Sequence, residues 1–314
     1  MMRFANMNKP NFFIVGKPKS GTTALHLMLE QHPDIYMSAV KEPHHFARDH
    51  VEAAERRNRG YRGMPYKDRE NYLKLFEGAG TQKVVGEAST DYLYSRVAAQ
   101  EIAKFNPDAR ILMILREPVD FMYSFHGQLL RSGNENEGNF AKALLLEEQR
   151  KRGEKIPSAT SNPAMLLYSD QAQYCEQVER FLSAFDNSRV KIVIYDDFRD
   201  ANLAVCREVF RFLEIDPDFE PVSQKVNPSR DVRAPRLANW LIYHGERKAG
   251  NIKQLAPKWL IRPIASVMSR LIFSERPPAP LDPDFRSALK ARFKPEVVRL
   301  SSIVGVDLVK KWSY

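Results

Sequence analysis

The chain has 314 residues, of which 43% are hydrophobic and 28% charged. That balance belongs to a globular protein large enough to bury a core without staples. Two cysteines, Cys175 and Cys206, make no disulfide framework and stand in no metal-ligand spacing, so both are expected in the core. No apolar run approaches the roughly 20 residues that a bilayer core demands. The start, Met1 to Pro10, is polar and runs straight into Phe12-Phe13-Ile14-Val15, unlike a secretory signal. A cytoplasmic location is the expectation.

The net charge is +9, and it is unevenly spread. Between Val222 and Arg276 eleven basic residues face only Asp231, Glu246 and Glu275. Such a field suits an anionic partner (nucleotide, anionic acceptor, nucleic acid or lipid surface) or forms a solvated basic face.

Taken in chain order, Phe12 to Val15 is a short apolar run ending in Gly16, as a buried parallel strand reads. After a glycine-containing turn, Thr23 to Gln31 reads as a helix that stops near Pro33. Arg48 to Asp68 is polar and rich in Arg and Gly, and reads as an exposed loop with short helices. Val84-Val85-Gly86 makes a weak second strand. Arg110 to Leu115 makes a strong third, followed by Pro118, a helix to Leu130 and a terminating Gly133. Glu137 to Asn162 is helical, then loop-like. Gln171 to Phe185 is a helix, Val190 to Tyr195 a fourth strand and Leu203 to Leu213 a further helix. Pro277 to Pro283 links to a terminal helix, Phe285 to Ile303, expected to pack back on the body.

This alternation predicts one α/β domain over residues 1–314, with a central parallel sheet between two helical layers. Right-handed crossovers then place the strand C-termini and their loops along one edge.

The first motif with chemistry is Gly16-Lys17-Pro18-Lys19-Ser20-Gly21-Thr22-Thr23. A glycine-containing turn at a helix N-terminus offers free amides to a phosphate. It is P-loop-like, but Gly21 is followed by Thr22 rather than by the lysine of the Walker pattern, and the lysine stands upstream at Lys19. A nucleoside triphosphatase that needs Mg²⁺ is thereby disfavoured. A second candidate follows the third strand: Arg116 at the strand end and Ser124 on the next helix can converge on one phosphate.

The stretch from Phe12 to Ile35 resembles the 5′-phosphosulfate loop of sulfotransferases that use 3′-phosphoadenylyl sulfate (PAPS). The Arg116-x-Pro118-x5-Ser124 spacing resembles their 3′-phosphate motif. The resemblance extends over most of residues 11–314 and is sharpest over 11–133. It implies that Lys19, Ser20, Gly21, Thr22 and Thr23 hold the 5′ end, and that Arg116 and Ser124 hold the 3′-phosphate. It also implies transfer without a metal.

Lys41-Glu42-Pro43-His44-His45-Phe46 resembles the segment that carries the base in heparan-sulfate-type and bacterial relatives. Glu42 is thus implied as general base, with His44 or His45 as the competing choice. The His-His pair has no further ligands near it in sequence, so no metal is expected. At Val85 to Leu93 the sequence departs from the family: Ala88 stands at its lysine position and Thr90 at its proline position. Glu87 and Ser89 either line the cleft or are buried beside the sheet edge.

Tyr195 either approaches the nucleotide or fills the core. Arg230 and Arg233 stand where relatives fold a basic loop over the nucleotide.

The implied reaction moves a sulfuryl group from PAPS to an acceptor hydroxyl, most readily a carbohydrate, with a lipid or small natural product as alternatives. Residues 259–273, apolar with Arg262 and Arg270 interspersed, either pack on the body or lie on a membrane. Two rival classes stay open. One is an ATP-dependent kinase, and the other a nucleic-acid binder using residues 222–276, where no aromatic ladder supports it.

Overall fold

The computed structural model describes residues 9–61, 63–223, 234–237, 239 and 279–314. In chain order the strands are β1 (Phe12–Gly16), β2 (Ile35–Met37), β3 (Val84–Ala88), β4 (Arg110–Leu115) and β5 (Val190–Ile194). The first helices are α1 (Thr22–Leu29), α2 (Arg48–Arg56), α3 (Arg69–Leu73), α4 (Ala98–Phe105) and α5 (Pro118–Arg131). Four follow before β5: α6 (Phe140–Leu145), α7 (Glu147–Lys151), α8 (Tyr168–Gln171) and α9 (Tyr174–Ala184). After β5 come α10 (Tyr195–Asp200), α11 (Asn202–Leu213), α12 (Pro283–Val304) and α13 (Leu308–Lys311).

The strands form one parallel sheet in the order β2-β3-β1-β4-β5. Phe12 lies between Gly86 of β3 and Arg110 of β4. The chain first fills one side of β1 and then crosses to the other, so the order reverses between β1 and β4. Open parallel sheets bind ligands outside the carboxyl ends at such a point.

Alternation along the strands builds the two helical layers. Phe13 and Val15 of β1 share one buried face with Ile111, Met113 and Leu115 of β4, under α4, α5, α9 and α12. Phe12, Ile14, Leu112 and Ile114 face the other way, against Leu25, Met28 and Leu29 of α1 and Val205, Val209 and Phe210 of α11. An eight-residue helix such as α1 is unstable in isolation. Its three buried apolar side chains, each contributing roughly 1.5–3 kcal/mol, hold it to the sheet.

Helix α5 is delimited locally. The Glu117 carboxylate accepts hydrogen bonds from the Val119 and Asp120 amides, Pro118 occupies the first turn, and Gly133 follows the C-cap at φ +69°.

Several expectations are corrected. The three-residue strand Ile35–Met37 lies in a stretch the apolar pattern leaves unassigned. The Arg48–Asp68 segment is not simply exposed: α2 buries His50, Val51 and Ala54. The expected Gln171–Phe185 helix begins later, as α9 from Tyr174, with Gln171 closing the separate α8, and Tyr195 opens α10 rather than ending β5. Both cysteines are free and buried, and burial pushes both thiols up to about 12. Arg230, Arg233 and residues 259–273 lie outside the described residues. No helix among the described residues is long and apolar enough to cross a membrane.

Candidate active site

A cleft of about 480 Å³ opens at the carboxyl ends of the strands, within the usual range for small-molecule sites. The segment after each strand contributes to it. Lys19, Gly21, Thr22 and Thr23 follow β1, Lys41 and Glu42 follow β2, and Thr90 follows β3. Arg116 follows β4, with Ser124 and Gln128 from α5, while Tyr195 and Phe198 follow β5.

The loop after β1 is shaped for an anion. Gly21 caps α1 at φ +81° with no side chain on the helix amides. A Cβ at Gly21 would lie 3.0 Å from the Phe198 ring, so the glycine is needed for both conformation and space. Uncapped amides at that terminus present partial positive charge to the cleft. Ser20 is fully buried, and its hydroxyl donates to the Pro18 carbonyl at 3.4 Å, so its side chain does not line the cleft.

Lys17 is fully buried rather than solvated. Its amine donates to Gln171 Oε1 at 3.0 Å and Gln177 Oε1 at 2.9 Å, below the Phe121 ring at 5.0 Å. Burial carries its pKa well below the ordinary lysine value. These bonds pin the loop to α8 and α9.

Lys19 has the opposite role in the loop. It lines the cleft at φ +64°, a strained conformation for a residue with a side chain. Burial, followed by the charges of Arg131, Arg116 and Lys41, lowers its pKa to about 8. An anion in the cleft favours the charged form, so binding above pH 8 takes up a proton. If the anion is adenosine 3′,5′-bisphosphate (PAP), as the resemblance of the loop implies, its affinity is expected to be highest below pH 8. It should weaken by up to about tenfold per unit as pH rises above it. Calorimetry of PAP between pH 7 and 9.5 checks this, and Lys19→Met should remove the Lys19 contribution to the slope.

At the other end Arg116 donates to the Lys19 carbonyl at 2.9 Å and lies 4.9 Å from the centre of the Tyr195 ring. Ser124 faces the same cleft from the second turn of α5. The N-terminus of α5 is closed by Glu117, so any phosphate here is held by side chains rather than by helix amides. The Tyr314 hydroxyl in turn donates to Glu117. This ties the C-terminal residues to the same corner.

Glu42 faces the loop from the β2 side, at φ +62°. Its carboxylate accepts from the Thr90 amide at 2.8 Å and the Thr90 hydroxyl at 3.1 Å. A proline at position 90 would offer neither donor. His44, also at positive φ, is buried behind Glu42 with Nε2 at 3.5 Å from the carboxylate and Nδ1 at 4.0 Å from Asp91. Desolvation would raise Asp91, but His50, His44 and the Tyr61 hydroxyl (2.8 Å) hold it well below the carboxylate range. His45 points away, stacked on Tyr72 at 4.1 Å, and burial lowers its pKa. Of the three candidate bases, Glu42 alone lines the cleft among the described residues.

Glu87 and Ser89 are fully buried rather than cleft-lining. Glu87 accepts from Tyr72, Tyr92 and Ser89. Desolvation raises it to about 7 despite those three donors.

Residues 10–221 match the sequence pattern of the sulfotransferase family. The chain belongs to that family. Over 274 residues it is 26% identical to human carbohydrate sulfotransferase 15, covering 73% of this chain and 48% of that protein. It is 29% identical over 215 residues to human bifunctional heparan sulfate N-deacetylase/N-sulfotransferase 3, covering 67% and 23% respectively. The sulfotransferase chain thus spans about half or less of the length of these curated relatives. The crystal structure of a sulfotransferase from Alicyclobacillus acidocaldarius aligns with a TM-score of 0.70 at 28% identity. That alignment covers 98% of this chain and 100% of the other.

Within this sulfotransferase several cleft residues escape a reading by motif. Gln128 stands one helical turn after Ser124 on the same face of α5, a spacing that can be read from sequence once Ser124 is chosen. Lys41 heads the motif that carries Glu42, which by itself gives the lysine no role. Phe198 and Arg199 come from α10, beyond the expected strand end at Tyr195, and Arg199 is already paired to Asp196 and Asp200. No group of three or more His, Cys, Asp or Glu among the described residues is arranged to hold a metal ion.

Proposed function

We propose that this sulfotransferase moves the sulfuryl group of PAPS to an acceptor hydroxyl, with Glu42 as general base. The observation that carries the reading is convergence. Lys19, Gly21, Thr22 and Thr23 after β1, Glu42 after β2, Arg116 after β4 and Ser124 on α5 line a single cleft. In the reaction the acceptor oxygen forms a bond to sulfur as the bond from sulfur to the 5′-phosphate oxygen breaks. The acceptor proton passes to Glu42, and PAP leaves. Lys19, Thr22 and the α1 amides offset the charge that grows on the departing phosphate, a stabilisation greatest in the transition state. Arg116 and Ser124 bind the 3′-phosphate, and Tyr195 lies beside them.

A carbohydrate hydroxyl is the acceptor we favour. The relatives named as a carbohydrate sulfotransferase and a heparan sulfate N-sulfotransferase support a carbohydrate as the acceptor class. A kinase reading is weaker, because Thr22 rather than the Walker lysine follows Gly21, and Arg116 with Ser124 offers the same cleft a second anion site.

The test is transfer of label from PAP³⁵S, in EDTA, to heparan sulfate, desulfated chondroitin, glycolipid vesicles or 4-nitrophenol. Label in a polysaccharide supports the full reading. Label in the vesicles or phenol alone overturns the carbohydrate assignment. No transfer by this preparation, coupled with Mg²⁺-dependent phosphate transfer from ATP, overturns the reaction class.

A further inference from the structure

Lys41 lies where the two halves of the cleft meet. Its amine donates to Thr23 Oγ1 at 2.6 Å, and it lies 3.6 Å from Glu42 Oε1. It therefore touches a residue of the phosphate-holding loop and the candidate base together. Its side chain is 23% exposed and lines the cleft.

The backbone accounts for this placement. The chain bends over residues 39–41 after β2, and Lys41 and Glu42 both line the cleft. Glu42 stands at φ +62°, with its amide bonded to the Ala88 carbonyl at 2.9 Å. The bend and that left-handed residue together accompany the placement of both side chains in the cleft. A surface ion pair between neighbours contributes little to stability, and it would not need a strained residue. The cost is coherent with a functional arrangement.

On the reading that Lys19–Thr23 holds the donor phosphate and Glu42 the acceptor proton, the sulfuryl group crosses the space between them. We propose that Lys41 is a catalytic residue, its ammonium bearing on the sulfuryl oxygens during transfer while it holds Glu42 toward the acceptor. No bond to Lys41 forms or breaks. The acceptor proton still goes to Glu42, and the electron pair of the broken bond still goes to PAP. A fixed cation at that point stabilises negative charge on the group in transit and needs no reorganisation when the charge appears. The neighbouring Lys19 agrees with this placement, since burial above all, then the charges of Arg131, Arg116 and Lys41, lower its pKa. That repulsion is relieved when an anionic donor enters.

The experiment compares the wild-type chain with Lys41→Met and Lys41→Arg. PAP binding is followed by calorimetry, and PAP release from PAPS is followed with whichever of heparan sulfate, desulfated chondroitin, glycolipid vesicles or 4-nitrophenol takes up most label. Lys41→Met is expected to lower kcat about 100-fold or more. The KM for PAPS and the Kd for PAP should stay within about threefold of wild type. Lys41→Arg should recover at least about a tenth of the wild-type kcat, since it keeps the charge but not the shape.

A kcat for Lys41→Met close to wild type overturns the inference. So does a loss carried by KM and PAP affinity alone, which would make Lys41 a phosphate holder. Should Lys41→Met melt early, Lys41→Gln serves for the same comparison. A wild-type chain that neither binds PAP nor releases it with any of these acceptors overturns the reading of the site itself, and this inference with it. Wild-type turnover with an unaffected Lys41 variant overturns Lys41 alone.

Discussion

Glu42→Gln is expected to lower kcat by about 10²–10⁴-fold, the usual contribution of a positioned base. The amide is nearly isosteric and can still accept from the Thr90 amide and hydroxyl through its oxygen. It cannot take the acceptor proton. Because Glu42 lies across the cleft from Arg116 and Ser124, PAP affinity should be little changed. Steady-state kinetics paired with PAP calorimetry checks both halves, and unchanged turnover removes Glu42 from the mechanism. Thr90→Val retains the amide donor and loses the hydroxyl, so it should lower kcat in the same direction by less. Equal losses in the two variants would instead show that the orientation of Glu42, rather than its proton, limits the rate.

The second large effect concerns stability. Glu135 and Arg150 form a buried pair with no exposed side-chain area, each guanidinium-to-carboxylate distance being 2.8 Å. Glu135 also accepts from the Tyr168 hydroxyl at 2.8 Å and from the Asn136 and Glu137 amides. This cluster fixes the turn after α5, the helix that carries Ser124 and Gln128.

Arg150→Met leaves a buried carboxylate without its counter-charge, so it should cost about 3–5 kcal/mol. In a chain of 314 residues the melting temperature is expected to fall by roughly 1–2 °C for each kcal/mol. Replacing both partners, Glu135→Leu with Arg150→Met, should recover part of that loss, because no charge is then stranded. Thermal melts of the three variants measure this. A double variant no more stable than Arg150→Met would show that the amides and Tyr168, not the missing charge, set the cost.

What the sequence makes visible follows from how local each signal is. Strands β1 and β4 are runs of apolar residues buried on both faces, and such runs are conspicuous without any partner in view. The loop from Gly16 to Thr23 and the Arg116–Ser124 spacing are contiguous, and the fold brings both to one cleft. β2 is hidden because three residues, Ile35 to Met37, carry too short a pattern, and pairing with β3 makes them a strand. The burial of Lys17 depends on Gln171 and Gln177, more than 150 residues away, and no spacing near the loop announces it.

Thr90 is the sharpest example. Standing at the family's proline position, two residues after Ala88 at its lysine position, it reads as a departure from the family pattern. In the fold it supplies two hydrogen bonds to Glu42. His44 and His45 are indistinguishable by sequence. Their roles separate only because one abuts Glu42 and the other stacks on Tyr72.

The central claim is that the cleft binds a nucleotide carrying both a 5′- and a 3′-phosphate, and thermal stability tests it most directly. The chain would be melted with PAP, ADP or ATP, each in EDTA and in Mg²⁺, alongside Arg116→Ala. A ligand at about 100 times its dissociation constant adds roughly 2.7 kcal/mol to the native state, enough to read as a shift in melting temperature. The account predicts stabilisation by PAP in EDTA well beyond that by ADP, with the difference shrinking in Arg116→Ala. Stabilisation by ATP alone, and only with Mg²⁺, would contradict it.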